Sequence, residues 1–299
     1  MKSNHHVVTL VHKGAMEMAV QAIRSFSGCF RDRYELHIHT DGSLDEDDHR
    51  VLLDAATGTP SRIITYEERR EKINERLARY PLTRRLIERR GYFTKLELPM
   101  FIEPPYLYFD SDIFWLHPTD TLVPEGGPNA FSTESWSWYF GVKNDDLWLK
   151  AGTPRRVNSG FYYLGEEFPF ARMEDFLERD MFNTDCYGHT DQEIMAYLYP
   201  EMVYYHPEDF KRSRREVIYD LEASKAAALH FPGQMWRDHM DQISSMEFTA
   251  QGADVKLRFQ PSRRLSRLEL LRMRLYLWAS RSELLKFPIR SYRAIRSKI

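Results

Sequence analysis

The chain has 299 residues, 42% of them hydrophobic and 29% charged, with a net charge of −2. That is a globular composition with enough chain for a sizeable core and one large domain or two small ones. Two cysteines, Cys29 and Cys186, exclude a disulfide framework and suggest a reducing compartment. No apolar stretch reaches the roughly 18 residues of a spanning helix, and the N-terminus runs straight into a strand, so neither a membrane span nor a signal peptide is expected.

Taken in order, His6 to Val11 is an apolar run of strand length. From Ala15 to Phe26, apolar residues recur at helical spacing. Tyr34 to Thr40 alternates and meets Asp41-Gly42, a turn signal. A polar helix from Asp45 to Ala56 and a short strand at Arg62 to Thr65 follow. This β-α-β-α-β order predicts a mostly parallel sheet with helices on both faces, whose ligands bind beyond the carboxyl ends of the strands. Residues 66–92 are highly charged and read as helical with a break at Pro81, either a mobile lid over the active face or a plain surface helix.

Residues 106–112 read Tyr-Leu-Tyr-Phe-Asp-Ser-Asp. At alternate positions of an extended segment, Asp110 and Asp112 project to the same side. Two such carboxylates can hold a hard divalent cation and leave positions open for a phosphate; the plain alternative is a helix N-cap or a turn. Lys95, 15 residues earlier at a helix start, can aim a cation at a diphosphate. Asn158-Ser159-Gly160 opens an apolar strand, with a glycine that permits close backbone approach and an amide suited to sugar hydroxyls. Thr190 and Glu193 have the spacing of a capping box, which leaves Asp191 and Gln192 in the first helical turn facing a cleft. His230 ends an apolar segment, Ala228 to Gly233, and can offer a nitrogen to Mn²⁺ or a similar ion. Trp136 and Trp138 suit either a stacking platform for a sugar or a half-buried strand.

The order and spacing of these segments resemble glycosyltransferase family 8, over roughly residues 6–236 and most closely over Phe93 to Leu122. The resemblance implies a GT-A fold, a nucleotide-sugar donor (usually UDP-linked), Mn²⁺ or Mg²⁺, and transfer with retention. It implies Asp110, Asp112 and His230 as metal ligands, with Asp191 and Gln192 at the reacting face. It also implies donor contacts from Thr9, Val11, Lys95, Asp110, Ser111, Asn158, Ser159, Gly160 and Gly233. Two departures stand out. Trp236 occupies the place of the family's phosphate-binding lysine, with Arg237 next to it, and Thr9 to Lys13 lacks the usual Asn-Asp.

From Val255 onward, 13 Lys or Arg face two acidic residues, about +11, so the other 254 residues carry about −13. A GT-A catalytic domain over 1–250 and a basic helical tail over 251–299 are therefore expected. On a helical wheel Leu268, Leu271, Leu275 and Trp278 share a face, which suits an anionic membrane surface or packing against the acidic body. The chain thus reads as a metal-dependent glycosyltransferase moving a sugar from a UDP-sugar to a saccharide or glycolipid acceptor. Its expected location is cytoplasmic, possible peripheral contact with the cytosolic membrane face included, and no nucleic acid is expected. A nucleotidyltransferase and a catalytically silent sugar-nucleotide binder are the alternatives.

Overall fold

A computed structural model describes residues 6–89, 91–133, 139, 141–180, 190–212, 220–221, 224–232, 235–248 and 255–281. The first half alternates as the hydrophobic pattern predicts. Strand β1 (His6–Val11) leads through a 3-10 turn into helix α1 (Met16–Phe30), then β2 (Glu35–Thr40), α2 (Glu46–Ala55) and β3 (Ser61–Ile64). Asp45 caps α2 by accepting from the Asp47 and Asp48 backbones at 3.0 Å each, and Asp48 returns a bond to the Asp45 N–H. Helices α3 (Tyr66–Leu77) and α4 (Pro81–Ile87) follow, divided where Pro81 removes a backbone donor. A 3-10 segment, Gly91–Leu96, and α5 (Glu97–Phe101) deliver the chain to β4 (Tyr106–Phe109) and β5 (Ile113–Trp115).

The second half holds β6 (Ala130–Thr133), α6 (Asp145–Lys150), β7 (Val157–Leu164), α7 (Phe170–Glu178), α8 (Thr190–Leu198), β8 (Val203–Tyr205), β9 (Phe210–Arg212), β10 (Ala228–His230), α9 (Met240–Ser245), β11 (Phe259–Pro261) and α10 (Arg267–Arg281). The result is a mixed α/β fold around an eight-stranded, mainly parallel sheet ordered β11-β8-β6-β7-β4-β1-β2-β3, with a small β5-β10-β9 sheet beside it. The block β4-β1-β2-β3 is parallel, while β7 runs antiparallel to both β4 and β6.

Apolar side chains fill both faces. On one, Val7, Leu36, Phe109 and Phe161 pack under α1 and α2; on the other, Val8, Tyr108 and Tyr162 pack under the helices of residues 66–101 and α8. The Trp115 ring is fully buried and meets Phe26, Phe30, Phe109, Phe161 and Phe210, and the Trp115 backbone N–H donates to Ser25 Oγ on α1 at 3.0 Å. Burying each such side chain contributes about 1.5–3 kcal/mol, which binds the small sheet to α1.

Residues 66–101 are tied to the body rather than left as a loose excursion. Arg69 is fully buried and pairs with Glu97 at 3.0 Å, donating also to the Thr40 carbonyl, and Arg70 shares Glu97 at 3.1 Å. Glu174 on α7 accepts from the Leu82 and Thr83 backbones at the start of α4. In the tail segment, Leu265, Leu270 and Met273 join the core, and Arg267 and Arg274 pair with Asp146 and Asp145 of α6. The opposite face of α10 is open: Leu268, Leu271, Leu275 and Trp278 are 55, 53, 55 and 65% exposed. Among the described residues, no helix is long and apolar enough to cross a membrane.

Candidate active site

The apolar strand β4 stops at Phe109, and the next three residues form a turn closed by the Ile113 N–H donating to the Asp110 carbonyl at 3.0 Å. This corrects the expectation that Asp110 and Asp112 extend the strand. The chain must leave the large sheet here to start β5 in the small one, and a tight turn allows that change of direction. Asp110, Asp112 and His230 nevertheless converge, with one candidate ligand atom from each lying within 4.8 Å of the others. Ser111, at the middle of the turn, is partly exposed.

Pairing explains how distant residues reach this turn. Strand β10 runs antiparallel to β5, so its last residue, His230, pairs with the first of β5, Ile113. The Phe231 N–H donates to the Asp112 carbonyl at 2.9 Å, and His230 Nε2 comes to 3.3 Å from Asp112 Oδ1. Because β7 is antiparallel to β4, its opening residues lie beside the end of β4, and the Asp110 N–H donates to the Gly160 carbonyl at 2.7 Å. A Cβ on Gly160 would fall 2.7 Å from Asn158 Oδ1, 3.1 Å from His230 Cε1 and 3.2 Å from Asp110 Oδ2. Only a glycine leaves the two strand ends this close.

Lys95 Nζ sits 2.7 Å from Asp110 Oδ1, 2.9 Å from Oδ2 and 3.6 Å from Asp191 Oδ2. Burial opposes the Lys95 charge, but the Asp110 and Asp191 carboxylates outweigh it and hold its pKa above the ordinary lysine value. Burial pushes the Asp110 carboxyl up, with Lys95 pulling against it and the Asp112 charge adding to it. Asp191, in the first turn of α8, accepts from Ser159 Oγ at 2.5 Å. Gln192 beside it is buried.

Three other expected donor contacts, Asn158, Thr9 and Val11, are packed into the scaffold in this structure. Asn158 Oδ1 accepts from the Gly160 N–H at 2.8 Å and from Ser132 Oγ at 3.0 Å, so the amide braces the start of β7. Thr9 and Val11 are fully buried in β1. Glu193 is buried and accepts from the Gly141 N–H at 3.3 Å. Gly233, Trp136, Trp138 and the side chain of Thr190, and with it the capping box, lie outside the described residues.

Three residues escape the sequence reading. Tyr108 donates its O–H to Asp110 Oδ1, and Lys95 Nζ lies 4.9 Å over its ring. The signal was available, since Tyr108 and Asp110 stand two apart in an extended run. Ser132 sits at a register shift in β6 that turns its hydroxyl onto Asn158. Arg212 on β9 pairs in register with His230; burial lowers its pKa while the Asp112 charge opposes the shift. Neither could be read from local sequence.

The donor set fits a divalent ion. Asp112 Oδ1 is buried and makes no hydrogen bond among the described residues, with His230 Nε2 at 3.3 Å. A buried carboxylate oxygen in that state costs free energy unless a cation meets it. Two carboxylates and an imidazole suit Mn²⁺ or Mg²⁺ with positions left for a phosphate.

No protein-family model and no curated protein sequence matches the chain. Solved structures do. The apo structure of the bifunctional glycosyltransferase WbbM aligns over 82% of this chain and 50% of its own, with TM-score 0.54 and 13% identity. The glycosyltransferase GlyE of Streptococcus pneumoniae TIGR4 aligns over 83% of this chain and 62% of its own, with TM-score 0.51 and 13% identity. The chain thus spans half to three-fifths of these two proteins, and what it shares with them is the GT-A-like fold, with the Asp110–Asp112–His230 cluster set where that fold's parallel strands end.

Proposed function

We propose that this protein is a metal-dependent glycosyltransferase of the family 8 type, moving a sugar from a UDP-linked donor to a saccharide or glycolipid. The observation that carries this reading is the convergence of Asp110, Asp112 and His230, with Lys95 and Asp191 against them, at the carboxyl end of β4. The fold shared with two glycosyltransferases supports it. Asp110, Asp112 and His230 hold the ion; when bound, Mn²⁺ or Mg²⁺ supplies Lewis-acid stabilisation of the departing diphosphate. Lys95 keeps its charge through physiological pH and steadies Asp110 and the donor. Asp191, held by Ser159, and Gln192 face the anomeric carbon and stabilise its developing positive charge. The bond from that carbon to the phosphate oxygen breaks, the bond to the acceptor oxygen forms on the same face, and the acceptor proton passes to the departing phosphate.

The exposed Leu268–Leu271–Leu275–Trp278 row supports an acceptor presented at an anionic membrane surface, with Arg272 exposed on the same helix. A silent binder is the second reading. It draws on Trp236, which is buried where the family carries a phosphate-binding lysine, while Arg237 is exposed and stacks on it at 5.6 Å.

The test is UDP release from a panel of UDP-sugars, with Mn²⁺ or with EDTA. Release from one donor, blocked by EDTA and lost in Asp112→Asn, is expected. No release from any donor rejects the transferase; a thermal shift with UDP and Mn²⁺ in that case selects the silent binder.

A further inference from the structure

At the other end of the sheet, β1 and β2 begin with a second group of potential ligands, His6, Glu35 and His37. The strand pairing assembles them. His6 stands opposite Glu35 in the parallel register, and His37 follows Glu35 by two residues, so all three project from one face of the sheet. His37 Nε2 is 2.9 Å from Glu35 Oε1, and His6 Nδ1 is 3.8 Å from Glu35 Oε2. The two imidazoles stack with centroids 4.5 Å apart, and one candidate donor atom from each of the three residues falls within 4.8 Å of the others. His6 Nδ1 is buried and has no hydrogen-bond partner among the described residues. His37 is enclosed by the fold, whereas the His6 and Glu35 side chains are 43 and 47% exposed, so the group is anchored on one side and open on the other.

We propose that His6, Glu35 and His37 form a second metal site, selective for a borderline cation such as Zn²⁺, that clamps the first strand of the chain to its neighbour. Two imidazole nitrogens and one carboxylate match the donor preference of Zn²⁺, and they contrast with the oxygen-rich cluster at the carboxyl end. A tetrahedral Zn²⁺ with bonds near 2.0–2.1 Å sets its ligand atoms about 3.3 Å apart. The present separations of 2.9 and 3.8 Å, to the two different oxygens of Glu35, lie on either side of that spacing, and one donor atom from each residue lies within 4.8 Å of the others, so side-chain rotation has a short distance to close. The Arg62 guanidinium, 3.8 Å from Glu35 Oε1, works against a cation but is half-exposed and can turn to solvent. Three protein ligands leave a fourth position for water.

The test is Zn²⁺ binding by calorimetry to tag-free protein carrying Asp112→Asn, which weakens the other cluster. One equivalent of Zn²⁺ is expected to remain. Adding His6→Ala or Glu35→Gln, both at half-exposed side chains, is expected to weaken it at least tenfold. X-ray absorption of the Zn²⁺-loaded Asp112→Asn protein gives a readout free of folding effects, with two imidazoles per zinc expected. Absence of a bound equivalent, affinity unchanged in both added variants, or zinc without two imidazoles would overturn the proposal.

Discussion

The two ends of the parallel block carry two ligand clusters built by opposite rules. At the carboxyl end, Asp110, Asp112 and His230 come from a turn and from a strand of a second sheet, sit against a part-buried lysine, and leave a carboxylate oxygen without a hydrogen bond. At the amino end, His6, Glu35 and His37 come from two neighbouring strands in simple register, half open to solvent and near an arginine. The first is costly to assemble and is made almost wholly of contacts remote in sequence; the second follows from pairing alone. The difference shows where a sheet can afford chemistry. A part-buried, unbalanced charge cluster needs several converging elements to hold it, while a cluster at the start of two paired strands needs only their register.

The strongest way to break this contrast is Asp112→Asn. On the proposed function, losing the ion would remove several kcal/mol of charge stabilisation, so UDP release is expected to fall by about 10³-fold. Zn²⁺ binding at His6, Glu35 and His37 should persist. Turnover unchanged in this variant would take the carboxyl-end cluster out of the reaction. Next comes Gly160→Ala, whose methyl group meets Asn158, His230 and Asp110 at once. Overpacking of this kind costs about 1–3 kcal/mol, so a lower melting temperature and weaker Mn²⁺ binding are expected together. A variant that melts and binds Mn²⁺ like the parent would mean the strand ends have room to separate.

Tyr108→Phe removes only the hydroxyl that donates to Asp110. A hydrogen bond to a charged group contributes about 1.5–3 kcal/mol, and part of that should appear as a rise in the Mn²⁺ concentration for half-maximal turnover. A melting temperature that drops while the Mn²⁺ dependence stays put would assign Tyr108 to the core instead.

The smallest effect concerns His39, which lies on β2 between the two ends. Burial holds its pKa well below the ordinary value of 6.5, helped by the charge of Arg69. It stays neutral in the folded state while the unfolded chain takes up a proton as pH falls below 6.5. Its stabilisation is therefore complete above that pH and declines toward the lowered native value, by at most about 1.4 kcal/mol per pH unit. His39→Leu should flatten urea-derived stability between pH 6.5 and 5. A profile as steep as the parent's would shift the burden to His37, which burial also lowers despite its bond to Glu35.

Much of this is legible in the sequence. The alternation of apolar strand and amphipathic helix through Thr65 laid out the parallel block, because burial on two faces imposes those periods locally. The Leu268–Trp278 row was visible on a helical wheel and is exposed as a row in the structure, since 3.6-residue geometry alone decides which side chains share a face. The residue types of the carboxyl-end cluster were legible too, because few apolar strands end on two acids.

Only the tertiary structure could place Asp110 and Asp112 in a turn, run β7 antiparallel so that Gly160 meets Asp110, and bring His230 across from the small sheet. Ser132, Arg212 and the His6–Glu35–His37 group belong here as well. Sequence periodicity records how each segment meets solvent and core, so it determined the elements and their faces. Strand order and register join residues tens of positions apart, and no local pattern encodes them; Trp115 of the small sheet packing on Phe161 of the large one is a contact of that kind.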